Sequence, residues 1–151
     1  MTYMDQPHML PDPDLQAEFY ADVPLKRALA WIVDMILIVL LTMVIIPFTA
    51  FTALFFLPVL FLMVSFTYRV WALAARSATP GMRLMAVEFR DRTGRRLDFG
   101  TAFLHTLGYT LTIATLLPQI LSIALMLTTA RRQGLSDIVL GTVAINRPAR
   151  M

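Results

Sequence analysis

The chain has 151 residues, of which 58% are hydrophobic and only 15% charged, with a formal net charge of +3. An ordinary soluble domain is about 45–50% apolar, so this composition asks for a lipid-like solvent and predicts a small multi-pass protein of a bacterial inner membrane. The absence of cysteine excludes a disulfide framework, a thiolate nucleophile, a zinc–thiolate site and an iron–sulfur cluster.

The first 23 residues hold Asp5, Asp12, Asp14, Glu18 and Asp22 with three prolines. That is the wrong charge pattern for a cleavable signal, and the segment reads as a disordered acidic tail. Within it, His8 stands alone and makes no metal site. The membrane domain is expected over residues 24–147, with a short tail at 148–151. Lys26 and Arg27 open a first apolar tract, residues 28–46, broken only by Asp34 and Thr42. A second tract, residues 52–75, contains Ser65, Thr67, Tyr68 and Arg69. Each reaches the roughly 20 residues needed to cross about 30 Å of hydrocarbon. The uncharged join at residues 47–51, which begins with Pro47, predicts a tight helical hairpin with its tip at the far surface. Basic residues flank both open ends of the hairpin, so both ends and the N-terminus are expected on the cytoplasmic side.

Between the membrane blocks, Met85, Val87 and Phe89 alternate with Ala86, Glu88 and Arg90. Asp91-Arg92-Thr93-Gly94 has turn chemistry, after which Arg95-Arg96-Leu97 runs back, so a cytoplasmic β-hairpin is expected at about residues 83–97. The β-branched stretch Thr142 to Asn146 is a candidate additional strand. A third apolar tract, residues 99–130, is one and a half spans long and contains Pro118; Arg131, Arg132, Arg147 and Arg150 follow it. Two short helices that turn near Leu117-Pro118 and return keep those arginines on the cytoplasmic side, whereas a single long span, giving three crossings in all, is the alternative. The expected architecture is an all-α membrane bundle: a helical hairpin plus a second, Pro-broken helical hairpin, with a small cytoplasmic β-hairpin.

Arg27 and Asp34 lie seven residues apart on one helical face, with Asp34 about 10 Å deeper. A carboxylate inside a span costs about 2.5–3.5 kcal/mol on insertion scales, so Asp34 is expected to face the bundle interior. It serves there either as a cation or proton site or, the reading the residues favour, as the ion-pair partner of Arg69 or Arg76. His105 and Tyr109, one turn apart, read as amphipathic rings at the membrane interface in preference to a proton relay. The ten methionines are dispersed and read as packing and lipid contact. Asp137 can pair with Arg131, Arg132 or Arg27, and the convergence of Arg27, Asp34 and Asp137 at the cytoplasmic mouth is the expected site.

Four motifs in order, Arg27-x-x-Ala30-x-x-x-Asp34, Thr79-Pro80-Gly81, Asp91-Arg92-Thr93-Gly94, and Arg132-Gln133-Gly134-Leu135-Ser136-Asp137 leading into Gly141-Thr142-Val143, resemble the RDD family from about Leu25 to Asn146. The family is named for one arginine and two aspartates, which correspond to Arg27, Asp34 and Asp137. Where its members usually carry lysine, arginine and histidine, this chain has Met82, His105 and Ser136. The resemblance implies a transport role, with cation/proton exchange or small-solute transport through Asp34. A membrane scaffold or lipid-interacting protein is the second class, its arginine-rich hairpin binding anionic lipid headgroups at the cytoplasmic face. No enzyme motif is present and no cofactor is expected. The basic hairpin lacks interleaved stacking residues, so nucleic acid is not an expected partner. A homo-oligomer is expected from size alone.

Overall fold

A computed structural model describes residues 10–147, so His8 and Arg150 lie outside the described residues. Two helices are long and apolar enough to cross a membrane: α1, Val23–Phe48, and α2, Leu57–Arg76. They join through a turn in which Ala50 and Phe51 take left-handed backbone, followed by a 3-10 segment Thr52–Phe56. Pro47 falls in the last turn of α1, where it cannot donate to the Met43 carbonyl, and the helix ends one residue later at Phe48. In the most apolar window of α2 only 6% of residues are buried inside the protein, so its surface needs lipid as its solvent. The few inward positions of α2 are Arg69, Val70 and Leu73.

The third apolar tract forms α4, Phe99–Ile113, and α5, Leu116–Thr128, with a bend of 116° between them. Two short returning helices are therefore present, but the turn falls at Ala114-Thr115 rather than at Leu117-Pro118. Pro118 sits inside the first turn of α5, where backbone N–H groups have no intrahelical partner, so its missing donor matters little there. At 1.5 Å per residue α4 and α5 extend only about 20 Å each, short of a full crossing.

Antiparallel pairing of β1, Val87–Arg90, with β2, Val143–Asn146, fixes the topology of the second membrane block. β1 precedes the bent pair and β2 follows it, so α4 and α5 enter and leave on the same side of the bundle. The expected small antiparallel sheet is present, and its partner for β1 is the C-terminal strand. Arg95-Arg96-Leu97 instead returns as irregular chain, its turn held by the Asp91 carboxylate, with Leu97 N–H donating to Ser77 Oγ at 2.7 Å. The two faces of the ladder are distinct. Val87, Phe89 and Ala144 join the core with Val23, Ala30, Leu73 and Ala102, while Val143 and Ile145 pack on Tyr20. Glu88, buried on the ladder, pairs with Arg90 and Arg147.

Part of the acidic tail is ordered, which corrects the expectation of a disordered residues 1–23. From Leu10 onward it folds against β2: Tyr20 donates its hydroxyl to Pro11 O at 2.7 Å, and Asn146 donates to Glu18 O and Ala21 O at 2.8 and 2.9 Å. A buried tyrosine and a satisfied asparagine offset the cost of ordering this stretch. The remaining short helices are α3, Pro80–Leu84, which packs on α1, and α6, Leu135–Leu140, which packs on α4 and α5.

The same-side entry and exit of α4 and α5 is testable with single cysteines, since the chain has none of its own. In sealed vesicles, Arg95→Cys and Arg131→Cys should react with a membrane-impermeant maleimide from one side, and Ala50→Cys from the other. Labelling of Arg131→Cys together with Ala50→Cys would mean that α4 and α5 form one crossing.

Candidate functional site

Asp34 is buried on the inner face of α1, yet among the described residues no cation pairs with it. Its carboxylate accepts from Tyr68 Oη at 2.7 Å, Thr79 Oγ1 at 2.5 Å and Gly81 N–H at 2.9 Å. The expected ion pair with Arg69 or Arg76 is absent: Arg76 is exposed, and Arg69 is turned against Tyr109. Three neutral donors satisfy a carboxylate without a second buried charge, and here they tie α1 to α2 and to the start of α3. Thr79 performs two tasks, since its hydroxyl also accepts from Met82 N–H as the cap of α3. Gly81 is required by the same contact. A Cβ there would strike the Ala30 carbonyl oxygen and come within 2.9 Å of the Asp34 carboxyl, so the small pair Ala30 and Gly81 sets the approach of α3 to α1.

Asp137 forms a second node. Oδ2 accepts from Arg27 Nη1 at 2.6 Å and Gly134 N–H at 3.0 Å; Oδ1 accepts from His105 Nε2 at 2.7 Å and Thr142 Oγ1 at 3.0 Å. Four contacts fill the carboxylate, and they join α1, α4 and the two ends of α6. With an ionised carboxylate as acceptor, His105 Nε2 must carry its proton. Burial alone would push the Asp137 carboxyl up. The Arg27 guanidinium and the His105 side chain outweigh that and hold it well below the usual carboxylate range. Gly141 closes α6 in left-handed backbone at φ +74°, which delivers Thr142 to the node.

The sequence expectation for His105 and Tyr109 does not hold. His105 is buried, bound to Asp137 and packed against Phe89 with the ring planes tilted by 56° and centroids 4.4 Å apart. Tyr109 accepts from the Trp31 indole at 2.7 Å and lies under Arg69, whose guanidinium carbon is 4.1 Å from the ring centroid. Arg27 and Asp137 are brought together as expected. Asp34 does not touch them, but lines the same cavity, which has a volume of about 810 Å³.

The chain belongs to the RDD family, whose model it matches over residues 22–141. No curated protein and no solved structure matches it. In this RDD protein Arg27, Asp34 and Asp137 each bond across elements and line the cavity. His105, standing at a usual arginine position, keeps a hydrogen bond to Asp137.

Sequence reasoning offered Arg69 only as an ion-pair partner for Asp34 and did not foresee it as an unpaired group on the cavity wall. It is 9% exposed, its Nε and Nη2 have no hydrogen-bond partner, and it lines the cavity together with Thr106, whose buried hydroxyl is also unpaired. The available signal was the presence of an arginine inside an otherwise apolar span.

Two stability predictions follow from these nodes. Asp137→Asn should destabilise the protein near neutral pH by about 3–5 kcal/mol, the range for breaking a buried pair. Because the folded-state pKa is depressed, the wild-type advantage is complete above the ordinary carboxylate range and is lost only as pH falls through the lower, folded value. Thermal unfolding in micelles should therefore show an undiminished gap down to about pH 4. A gap already closing above that pH would separate Asp137 from Arg27 in solution. Gly81→Ala should cost about 1–3 kcal/mol by overpacking. Gly100→Ala, where a Cβ meets only Asp98 Oδ1 at 3.9 Å, should be neutral or mildly stabilising.

Proposed function

We propose that this RDD protein is a transport component of the bacterial inner membrane whose central cavity binds a solute carrying a negatively charged group. The observation that carries this reading is the buried guanidinium of Arg69 on the cavity wall, whose Nε and Nη2 have no hydrogen-bond partner. A buried, unsatisfied polar group costs about 1–3 kcal/mol, more when charged, and stacking on Tyr109 returns about 0.5–2 kcal/mol. The remaining deficit is removed when an anion accepts from Nε and Nη2. Most of the other lining is apolar, including Leu73, Met82, Ile113, Ile123 and Met126, which suits a solute with an organic body.

Cation/proton exchange through Asp34 fits less well. The oxygens of Asp34 are occupied by three donors that hold α1, α2 and α3 together, and a cation would have to displace them. In the proposed orientation the sheet end faces the cytoplasm, since Lys26, Arg27, Arg76, Arg83, Arg95 and Arg131 cluster there. The chain binds and moves its solute in this reading and makes no bond.

Benzenesulfonate, a permanently charged anion with an apolar ring, is a suitable probe. Liposomes containing the full chain should take up labelled benzenesulfonate faster than empty liposomes. Arg69→Gln should reduce uptake by about tenfold, corresponding to a lost charge-assisted hydrogen bond. Uptake insensitive to Arg69 would overturn the proposal. Sodium-driven proton movement abolished by Asp34→Asn would restore the exchange reading in its place.

A further inference from the structure

We infer that the cavity opens sideways into the bilayer and that its ligand is a membrane lipid with an anionic phosphate head, the phosphate seated on Arg69. This inference rests on the cavity reading above and adds the source of the anion.

The first support is the way the helices pack. α1 packs on α2 and α3, while α5 packs on α4 and α6, so α1 and α5 face each other without a packing seam. Leu25 and Ile32 from α1 and Ile123 and Leu127 from α5 line the cavity, yet each is 47–62% exposed. Side chains that line an interior space and also face outward mark an opening; Leu25 and Leu127 stand at its headgroup edge, and Ile32, five residues inside Arg27 on α1, carries it to the depth of hydrocarbon. Water-soluble solutes gain nothing from such an entrance, whereas acyl chains occupy it without leaving their own solvent.

The second support is the chemistry at the inner end. Nε–H and the neighbouring Nη2–H of a guanidinium form a parallel fork that matches two oxygens of a phosphate or carboxylate, and these are the two unpaired nitrogens of Arg69. Arg69 precedes the exposed end of α2 at Arg76 by seven residues, which places the fork about 10 Å into the span. A headgroup can sink that far while its chains remain in the bilayer. The Thr106 hydroxyl, buried and unpaired on α4 one turn before Tyr109, supplies a further donor facing the same space. Of the nearby carboxylates, Asp137 is neutralised by Arg27, while Asp34 keeps its charge within three hydrogen bonds to neutral donors.

Trp31 provides the readout. It lines the cavity with its indole bonded to Tyr109, and Trp71, the second tryptophan, lies elsewhere and is 75% exposed. In nanodiscs containing the Trp71→Phe chain, Trp31 fluorescence is quenched with acyl-brominated phosphatidylglycerol and, separately, with acyl-brominated phosphatidylcholine. Quenching per mole fraction should be about fivefold stronger for the anionic lipid, the preference expected of one basic group near an acidic head. Arg69→Gln should lower the ratio by several fold, to the residual enrichment that the untouched surface arginines produce around the exposed edge of Trp31. Thr106→Val, which removes an unpaired hydroxyl without altering shape or charge, should fold like wild type and lower the ratio by about half.

A ratio of one in wild type, or a ratio unchanged by both substitutions, overturns the inference. Relief of quenching by millimolar inorganic phosphate also overturns it, because the site then takes a free anion. Should the lipid preference be absent while benzenesulfonate uptake still depends on Arg69, the cavity reading stands and the lipid inference alone falls.

Discussion

Hydrocarbon offers no hydrogen bonds, so each polar group inside this bundle must find its partner within the protein. The whole arrangement can be understood from that constraint. Asp34 and Asp137 are both buried, and each is surrounded by donors drawn from elements far apart in the chain. A carboxylate that needs three or four donors in a low-dielectric interior makes a demanding organiser, because losing any one of them exposes charge to a medium that cannot solvate it. The two nodes therefore hold together helices whose apolar faces, each solvated equally well by lipid, have little reason of their own to associate.

The two nodes solve the problem differently. Asp34 lies about three turns inside α1 and is balanced by neutral donors, including a backbone N–H that only a glycine can bring close enough. Asp137 lies at the sheet end, where Arg27 can reach it and remain partly exposed. Arg69, with the Thr106 hydroxyl beside it on the cavity wall, departs from this rule. It occupies the interior without acid or carbonyl to satisfy its fork, and the cavity around it is large enough for a ligand to do so.

The β-ladder has a comparable structural role outside the spans. By pairing β1 with β2 it returns the chain to its starting side, and by docking the segment from Leu10 to Asp22 it caps that end of the bundle. Lys26 reinforces the closure, donating to Asn146 Oδ1 at 2.8 Å.

Membrane residence, two full spans, a broken third tract and the RDD motifs were legible in the sequence, because length, apolarity and charge flanks are local properties that the bilayer itself selects. The alternation around Val87 and Phe89 also announced a strand. Its partner, the bonding of His105 to Asp137, the neutral cover of Asp34 and the solitude of Arg69 were settled only by tertiary structure. Each depends on which distant donor arrives within about 3 Å of an acceptor, and a linear pattern of residue types contains no such distances. The pairing of Asp34 shows the difference most clearly: charge alone favoured an arginine, while packing delivered Tyr68, Thr79 and Gly81 first.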